Sequence, residues 1–152
     1  MQLTDHFTLA QLTFSETAER DGIDNSAPPD VVDNLRRLAQ GLEAVQALLG
    51  APLDISSGYR SPELNRVVGG SPTSQHSQGL AADFACAAFG TPLEIAAAIQ
   101  ASDIEFDQCI LEYGRWVHLS FSATPRGRML SIYNSRDGYL DGLRDADGNR
   151  VA

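Results

Sequence analysis

The chain has 152 residues, enough for one domain with one core, and its 43% hydrophobic and 20% charged content is that of an ordinary folded protein. A formal charge of -9, with 11 scattered arginines and no lysine, argues against a nucleic-acid surface, which needs clustered cations. The longest apolar runs, such as Leu93 to Ile99, are too short to span a bilayer, and the Met1–Asp5 start has no basic or apolar part of a Sec signal peptide.

Taken in chain order, His6 to Leu12 reads as a short amphipathic segment, and Thr17 to Pro29 as a surface loop rich in Asn, Asp, Ser and Pro. Val31, Leu35, Leu38, Leu42, Val45 and Leu49 then recur at helical spacing, from the Pro28-Pro29 pair to a stop at Gly50 and Pro52. This is the expected central packing helix. Leu53 to Ser57 is a short β-like run. Ser61-Pro62-Glu63 starts a brief helix, with serine as cap and proline at the first position, and Gly69-Gly70 ends it. Ser71 to Gln78 is polar and loop-like, and Leu80 to Ala85 reads as a buried strand. Thr91-Pro92-Leu93-Glu94 is a capping box opening an Ala-rich helix to about Ala101. Phe106–Leu111 and Trp116–Phe121 read as a hairpin around Tyr113-Gly114, with Met129–Tyr133 as a further strand.

Helices precede strands, and the strand connections are short. The expected fold is α+β, a small antiparallel sheet backed by helices, in a single domain spanning 1–152 whose Gly- and Asp-rich tail (136–152) wraps the surface. Gly138 to Leu143 reads as a turn with two apolar anchors. Asp145-Ala146-Asp147-Gly148-Asn149 lacks the length and closing Glu of an EF-hand. Cys86 and Cys109 are too few for a disulfide scaffold and lack CxxC spacing, so both read as small buried apolar residues.

Three histidines are present. His6 has no acidic or thiol partner at a motif spacing and reads as structural. His76 sits in Ser74-Gln75-His76-Ser77-Gln78-Gly79-Leu80-Ala81-Ala82-Asp83, where Gly79 and two small alanines leave room for the chain to bring the imidazole back towards Asp83. Such a pair is either a hydrogen-bonded couple or part of a metal site, since zinc accepts imidazole nitrogen and carboxylate oxygen. Alternation puts Trp116, His118 and Ser120 on one strand face and Val117, Leu119 and Phe121 on the core face. His118 is then either a ligand or a surface imidazole packed on Trp116.

Together, Ser57-Gly58-Tyr59-Arg60-Ser61-Pro62, then Ser74-x-His76-x-x-Gly79-x-Ala81-x-Asp83, then Trp116-Val117-His118 closely resemble the M15 family of zinc peptidases. Its members include D-Ala-D-Ala carboxypeptidases and phage endolysins that cut L-alanyl-D-glutamate bonds. The likeness runs from His6-Phe7-Thr8-Leu9 to about Phe121 and is greatest to the short phage and prophage members. The resemblance implies the fold shared by D,D-peptidases and the Hedgehog signalling domain. It also implies that His76, Asp83 and His118 bind one Zn2+. Two neutral imidazoles and one carboxylate leave zinc a net positive charge, suited to activating water.

Arg60 matches the family arginine that lies near substrate, where a guanidinium can hold a carboxylate or a developing oxyanion through paired hydrogen bonds. As a turn residue it could equally make a surface salt bridge. Ser74, Gln108 and Trp116 are further substrate-binding candidates, and Ser74 is also a plausible loop cap. The expected acid departs from the family pattern. Many members carry Glu-x-x-His or Asp-x-x-His, but Arg115 stands three residues before His118. If Tyr113-Gly114-Arg115 forms a three-residue loop, Glu112 pairs with Trp116, Ile110 with His118, and Gln108 opposes Ser120. Glu112 then shares the histidine's face and is the candidate base, with a salt bridge to Arg115 as its other role; Asp107 is the second choice.

The expected function is zinc-dependent hydrolysis of a peptide bond in peptidoglycan stem peptides, of D,D-carboxypeptidase or L-alanyl-D-glutamate endopeptidase type. The alternative is a noncatalytic zinc-bearing, murein-binding domain of a phage or prophage. The expected protein is a monomer with a peptidoglycan peptide as substrate and neither a nucleic-acid partner nor a membrane span. It is made in the cytoplasm without a Sec signal and acts on the cell wall after phage-type release.

Overall fold

Two short helices open the chain, α1 (Leu9–Thr13) and α2 (Glu16–Asp21), and side chains at their ends hold both. Thr8 and Gln11 close a capping box on α1, and the Ser15 hydroxyl accepts the Ala18 N–H at the start of α2. The computed structural model describes residues 1–151. Helix α2 replaces part of the loop expected over Thr17–Pro29. The Ser15 cap and a left-handed Gly22 at the far end satisfy backbone groups that polar composition alone leaves open.

Helix α3 (Pro29–Leu49) begins at the proline pair and ends at Gly50, whose φ of 70° lets its N–H reach the Gln46 carbonyl. Its stripe of Val31, Leu35, Leu38, Leu42, Val45 and Leu49 is buried, each large aliphatic contributing about 1.5–3 kcal/mol relative to exposure. Gly41 lies on this helix under the ring of Phe121, and a Cβ there would overlap the ring's outer atoms. Alanine is favoured over glycine in a helix interior by about 1 kcal/mol. Overpacking a core costs about 1–3 kcal/mol. Gly41→Ala is therefore expected to lower the thermal midpoint by a few degrees; a midpoint at or above that of the parent protein would show that Phe121 yields without cost.

The remaining elements are β1 (Asp54–Ser57), α4 (Pro62–Val67), α5 (Gln75–Gln78), β2 (Ala81–Ala85), α6 (Pro92–Gln100), β3 (Gln108–Glu112), β4 (Trp116–Ser120), β5 (Arg128–Ile132) and β6 (Leu140–Asp141). Ser61 caps α4, and Thr91 with Glu94 forms the capping box of α6. The single turn α5 interrupts the expected loop over Ser71–Gln78, because Ser74 accepts the His76 N–H and Gly79 closes the turn in the left-handed region.

One six-stranded sheet results, ordered β1-β2-β4-β3-β5-β6. The α+β class agrees with the sequence, but the sheet is mixed rather than wholly antiparallel. β5 runs parallel to β3, pairing Ile110 with Leu130 and Glu112 with Ile132, while the other four pairings are antiparallel. Direction follows from connectivity. β4 ends beside the start of β3, and the chain then steps past β3 without crossing to the opposite end of the sheet. Gly127 N–H bonds to the Phe106 carbonyl and Arg128 N–H to that of Asp107, so β5 starts where β3 starts.

The two faces of the sheet differ. Ala82, Phe84, Cys109, Leu111, Val117 and Leu119 join the residues of α3 and α6 in the main core. Asp83, His118, Ile110, Glu112 and Leu130 line a cleft on the other side. From Arg136 onward, β6 pairs with β5, and Leu143 is fully buried in the main core. Ser131 fixes this segment by donating to the Gly142 carbonyl and accepting from Arg144 N–H, and Tyr133 donates to the Arg144 carbonyl.

Candidate metal centre

Neighbouring antiparallel strands set two of the three candidate donors. Asp83 on β2 is the direct register partner of His118 on β4, so both side chains rise from one face. His76 arrives from α5. Gly79 turns the chain from α5 into β2 at φ 76°, and a Cβ there would come within 2.8 Å of Val31 on α3. The Ser74-Gln75-His76 turn and the return at Gly79 thus place the imidazole over Asp83.

His76 Nε2 lies 3.2 Å from Asp83 Oδ1, and His118 Nδ1 lies 3.0 Å from the same oxygen. The donor atoms all fall within 4.8 Å of one another. His76 Nδ1 is 2.7 Å from the Gly58 carbonyl, which can only accept, so Nδ1 carries a proton. In the neutral ring Nε2 then presents a lone pair to a carboxylate oxygen. The contact is satisfied either by a proton on Nε2, which makes the ring an imidazolium, or by a metal cation shared with the carboxylate. The donor set therefore fits a metal ion, two imidazoles and one carboxylate being a common zinc combination. Burial alone raises the Asp83 carboxyl, yet hydrogen bonds and charge from His118 and His76 hold it well below the usual carboxylate range.

The β3–β4 hairpin brings the candidate acid. Tyr113 and Gly114 both have positive φ (57° and 65°), and Arg115 N–H closes the turn on the Glu112 carbonyl. Glu112 pairs with Trp116 and Ile110 with His118. Glu112 Oε1 thereby stands 3.9 Å from His118 Nδ1. Burial raises the Glu112 carboxyl, reinforced by the Asp83 charge and opposed by His118, the Trp116 indole N–H and Arg60. The indole N–H lies near that carboxylate outside standard hydrogen-bond geometry and has no other partner. Asp107 has a different place. Its buried carboxylate accepts from Arg126 Nε (2.8 Å), Nη2 (2.8 Å) and backbone N–H (3.1 Å), and from Gln75 Nε2 (2.8 Å).

Arg60 follows β1 in the turn before α4, where its N–H bonds to the His76 carbonyl. Its Nη2 reaches Ser74 Oγ at 3.3 Å, its Nε is buried without a partner, and it makes no ion pair among the described residues. Burial lowers its pKa from the ordinary arginine value, against the pull of Asp83 and Glu112. Arg60, Ser74, His76, Asp83, Gln108, Glu112, Trp116 and His118 all line one cleft of about 730 Å³. All the candidate site residues named from the sequence except Asp107, the second-choice acid, thus face the same space.

Residues 5–120 match the family model described as Peptidase M15. The chain belongs to the M15 peptidases. No curated protein matches it. M15 peptidases are zinc-dependent, and the matched region contains all three donor residues together with Arg60 and Glu112. The M15 match stops at the end of β4, whereas Arg126, Leu130 and Tyr139 also line the cleft. Sequence reading missed those three, and Gln75 as well. Gln75 was hidden as an unassigned position inside a recognised motif, and Tyr139 within a segment read as a turn.

His6 lies far from this centre in sequence and pairs with Glu43 at 2.7 Å, which raises its pKa. Asp107 is a buried acid outside the donor set whose environment also bears on stability. Hydrogen bonds from Arg126 hold it at about 2 despite burial, with Gln75 adding to the effect. Its folded pKa is below the unfolded value, so the stabilisation is present above pH ~4 and is lost as pH falls towards ~2. Screening at the half-exposed Arg126 limits this to about 1–2 kcal/mol. Asp107→Asn is expected to flatten the acid limb of a stability–pH curve between pH ~5 and ~2. An unchanged limb would assign acid sensitivity to other carboxylates.

Proposed function

We propose that this M15 chain is a zinc-dependent peptidase that cuts a peptide bond in peptidoglycan stem peptides, with His76, Asp83 and His118 holding the zinc. The observation that carries the reading is the meeting of three donor atoms within 4.8 Å in a cleft that also contains Glu112 and the unpaired Arg60. When bound, zinc acts as a Lewis acid that lowers the pKa of water and polarises a carbonyl. Glu112 takes a proton from the attacking water and delivers it to the leaving amine, so that one C–O bond forms as the C–N bond breaks. Arg60 orients the substrate's carboxylate or scissile carbonyl with its free guanidinium N–H groups. Ser74 steadies that guanidinium, and Gln108 and Trp116 form part of the cleft wall against the peptide.

Arginine at position 115 favours the noncatalytic murein-binding alternative. Glu112 supports catalysis instead, because the hairpin register brings it beside His118 from the neighbouring strand. A monomer acting on the wall after phage-type release completes the proposal. Among the described residues no helix is long and apolar enough to cross a membrane. Purified protein incubated with sacculi and with synthetic stem peptides is expected to release new amine termini, to stop after chelation and to recover with zinc. Folded, zinc-loaded protein that leaves every such substrate intact would exclude the peptidase reading.

A further inference from the structure

We propose that Gln75 is a substrate-binding residue whose side-chain Oε1 accepts a backbone N–H of the peptide in the cleft, held in that orientation by the Asp107–Arg126 pair. The inference deepens the peptide-substrate reading above and rests on it. Asp107 is nearly fully buried, and its carboxylate is committed to Arg126 and to Gln75 Nε2. An ionised carboxylate only accepts, so the Gln75 amide must turn its NH2 towards Asp107. The oxygen is then directed away from the pair. Gln75 Oε1 is buried, has no hydrogen-bond partner, and belongs to a residue lining the cleft.

Leaving such an acceptor unpaired costs about 1–3 kcal/mol, and buried polar groups are nearly always paired. A donor arriving with the ligand removes that cost. The donor is an N–H rather than an anion, because Gln75 Oε1 and the Asp107 carboxylate both repel negative charge and Arg126 is already neutralised. Arg60 Nε is the complementary case, a buried donor without a partner in the same cleft. One unpaired donor and one fixed unpaired acceptor match the carbonyl and N–H of an extended peptide backbone. The bidentate Arg126 contact comes from beyond the M15-matched residues, so this chain's own continuation sets the acceptor.

The test uses zinc-loaded protein, a synthetic stem peptide, and versions in which one backbone amide at a time is replaced by an ester. Apparent affinity is read as KM where the peptide is cut and as a calorimetric Kd where it is not. For Gln75→Met, which keeps length but has no strong acceptor, affinity for the all-amide peptide is expected to fall about tenfold, a loss on KM rather than kcat. One ester position should cost the parent protein a similar factor and cost Gln75→Met nothing further. Asp107→Asn lets the Gln75 amide turn over, and should weaken the same amide-over-ester preference; a merely structural role would lower stability and leave that preference intact. Full additivity of the ester and Gln75→Met effects, or unchanged affinity in Gln75→Met, overturns the proposal. Binding with the expected ester pattern but without cleavage supports the acceptor and overturns only the peptidase reading. Absence of binding by folded parent protein overturns both.

Discussion

Replacing His76 with alanine is expected to abolish zinc retention and to reduce peptide hydrolysis at least about a thousandfold, while the protein stays folded. The Gly58 carbonyl orients this imidazole. It fixes the proton on His76 Nδ1, which directs the Nε2 lone pair at Asp83 and leaves this nitrogen as a ready-made metal donor. Alanine removes one donor of three, and the remaining Asp83 and His118 form an incomplete set. The Gly58 carbonyl also loses its partner, a penalty of about 1–3 kcal/mol that a chain of this size tolerates. Zinc per chain, measured by elemental analysis after dialysis, separates the metal effect from misfolding, with circular dichroism as the control. Stoichiometric zinc in the variant would remove His76 from the proposed ligand set.

Replacing Glu112 with glutamine is expected to leave zinc bound and to lower kcat by about 10²–10⁴-fold, the range for loss of a general base. Glutamine keeps the shape and the β3 position but cannot take the water proton. Burial and the neighbouring Asp83 charge disfavour ionised Glu112 in the chain, so the neutral amide is easily accommodated there. Stability should hold or rise slightly. Activity of Glu112→Gln within a few-fold of the parent would show that another group moves the proton. Asp107, whose oxygens are occupied by Arg126 and Gln75, is poorly placed for that work.

Much of this architecture follows directly from local chemistry. The α3 stripe, the Ser61 and Thr91 caps, and the hairpin register from Glu112–Trp116 to Ile110–His118 all depend on patterns that a few neighbouring residues decide. The register mattered most for the site, because it brought Glu112 to the face of His118 although Arg115 stands where the M15 pattern carries an acid. Other features depend on distant residues and leave no local trace. The parallel direction of β5 is set by which strand it reaches after leaving β4, a choice absent from the composition of Arg128–Ile132. Gln75 shows the same limit at atomic scale: its significance comes from Asp107 and Arg126, 32 and 51 positions further along the sequence. The short helices α2 and α5 were obscured because their stability lies in end caps, while their interiors are polar.

The parallel placement of β5 has a consequence for how such a cleft can diversify. The donors and the candidate acid are fixed by β2, β3, β4 and α5, all inside the M15-matched region. One wall of the same cleft is supplied after residue 120 by Arg126, Leu130 and Tyr139. Leu143 and the Ser131 hydrogen bonds anchor that later segment independently of the donors. Its exposed loop can therefore vary in length and side chain while the inner assembly stays intact. On the proposed function, part of the wall that meets the peptide can thus change separately from the donors and the candidate acid.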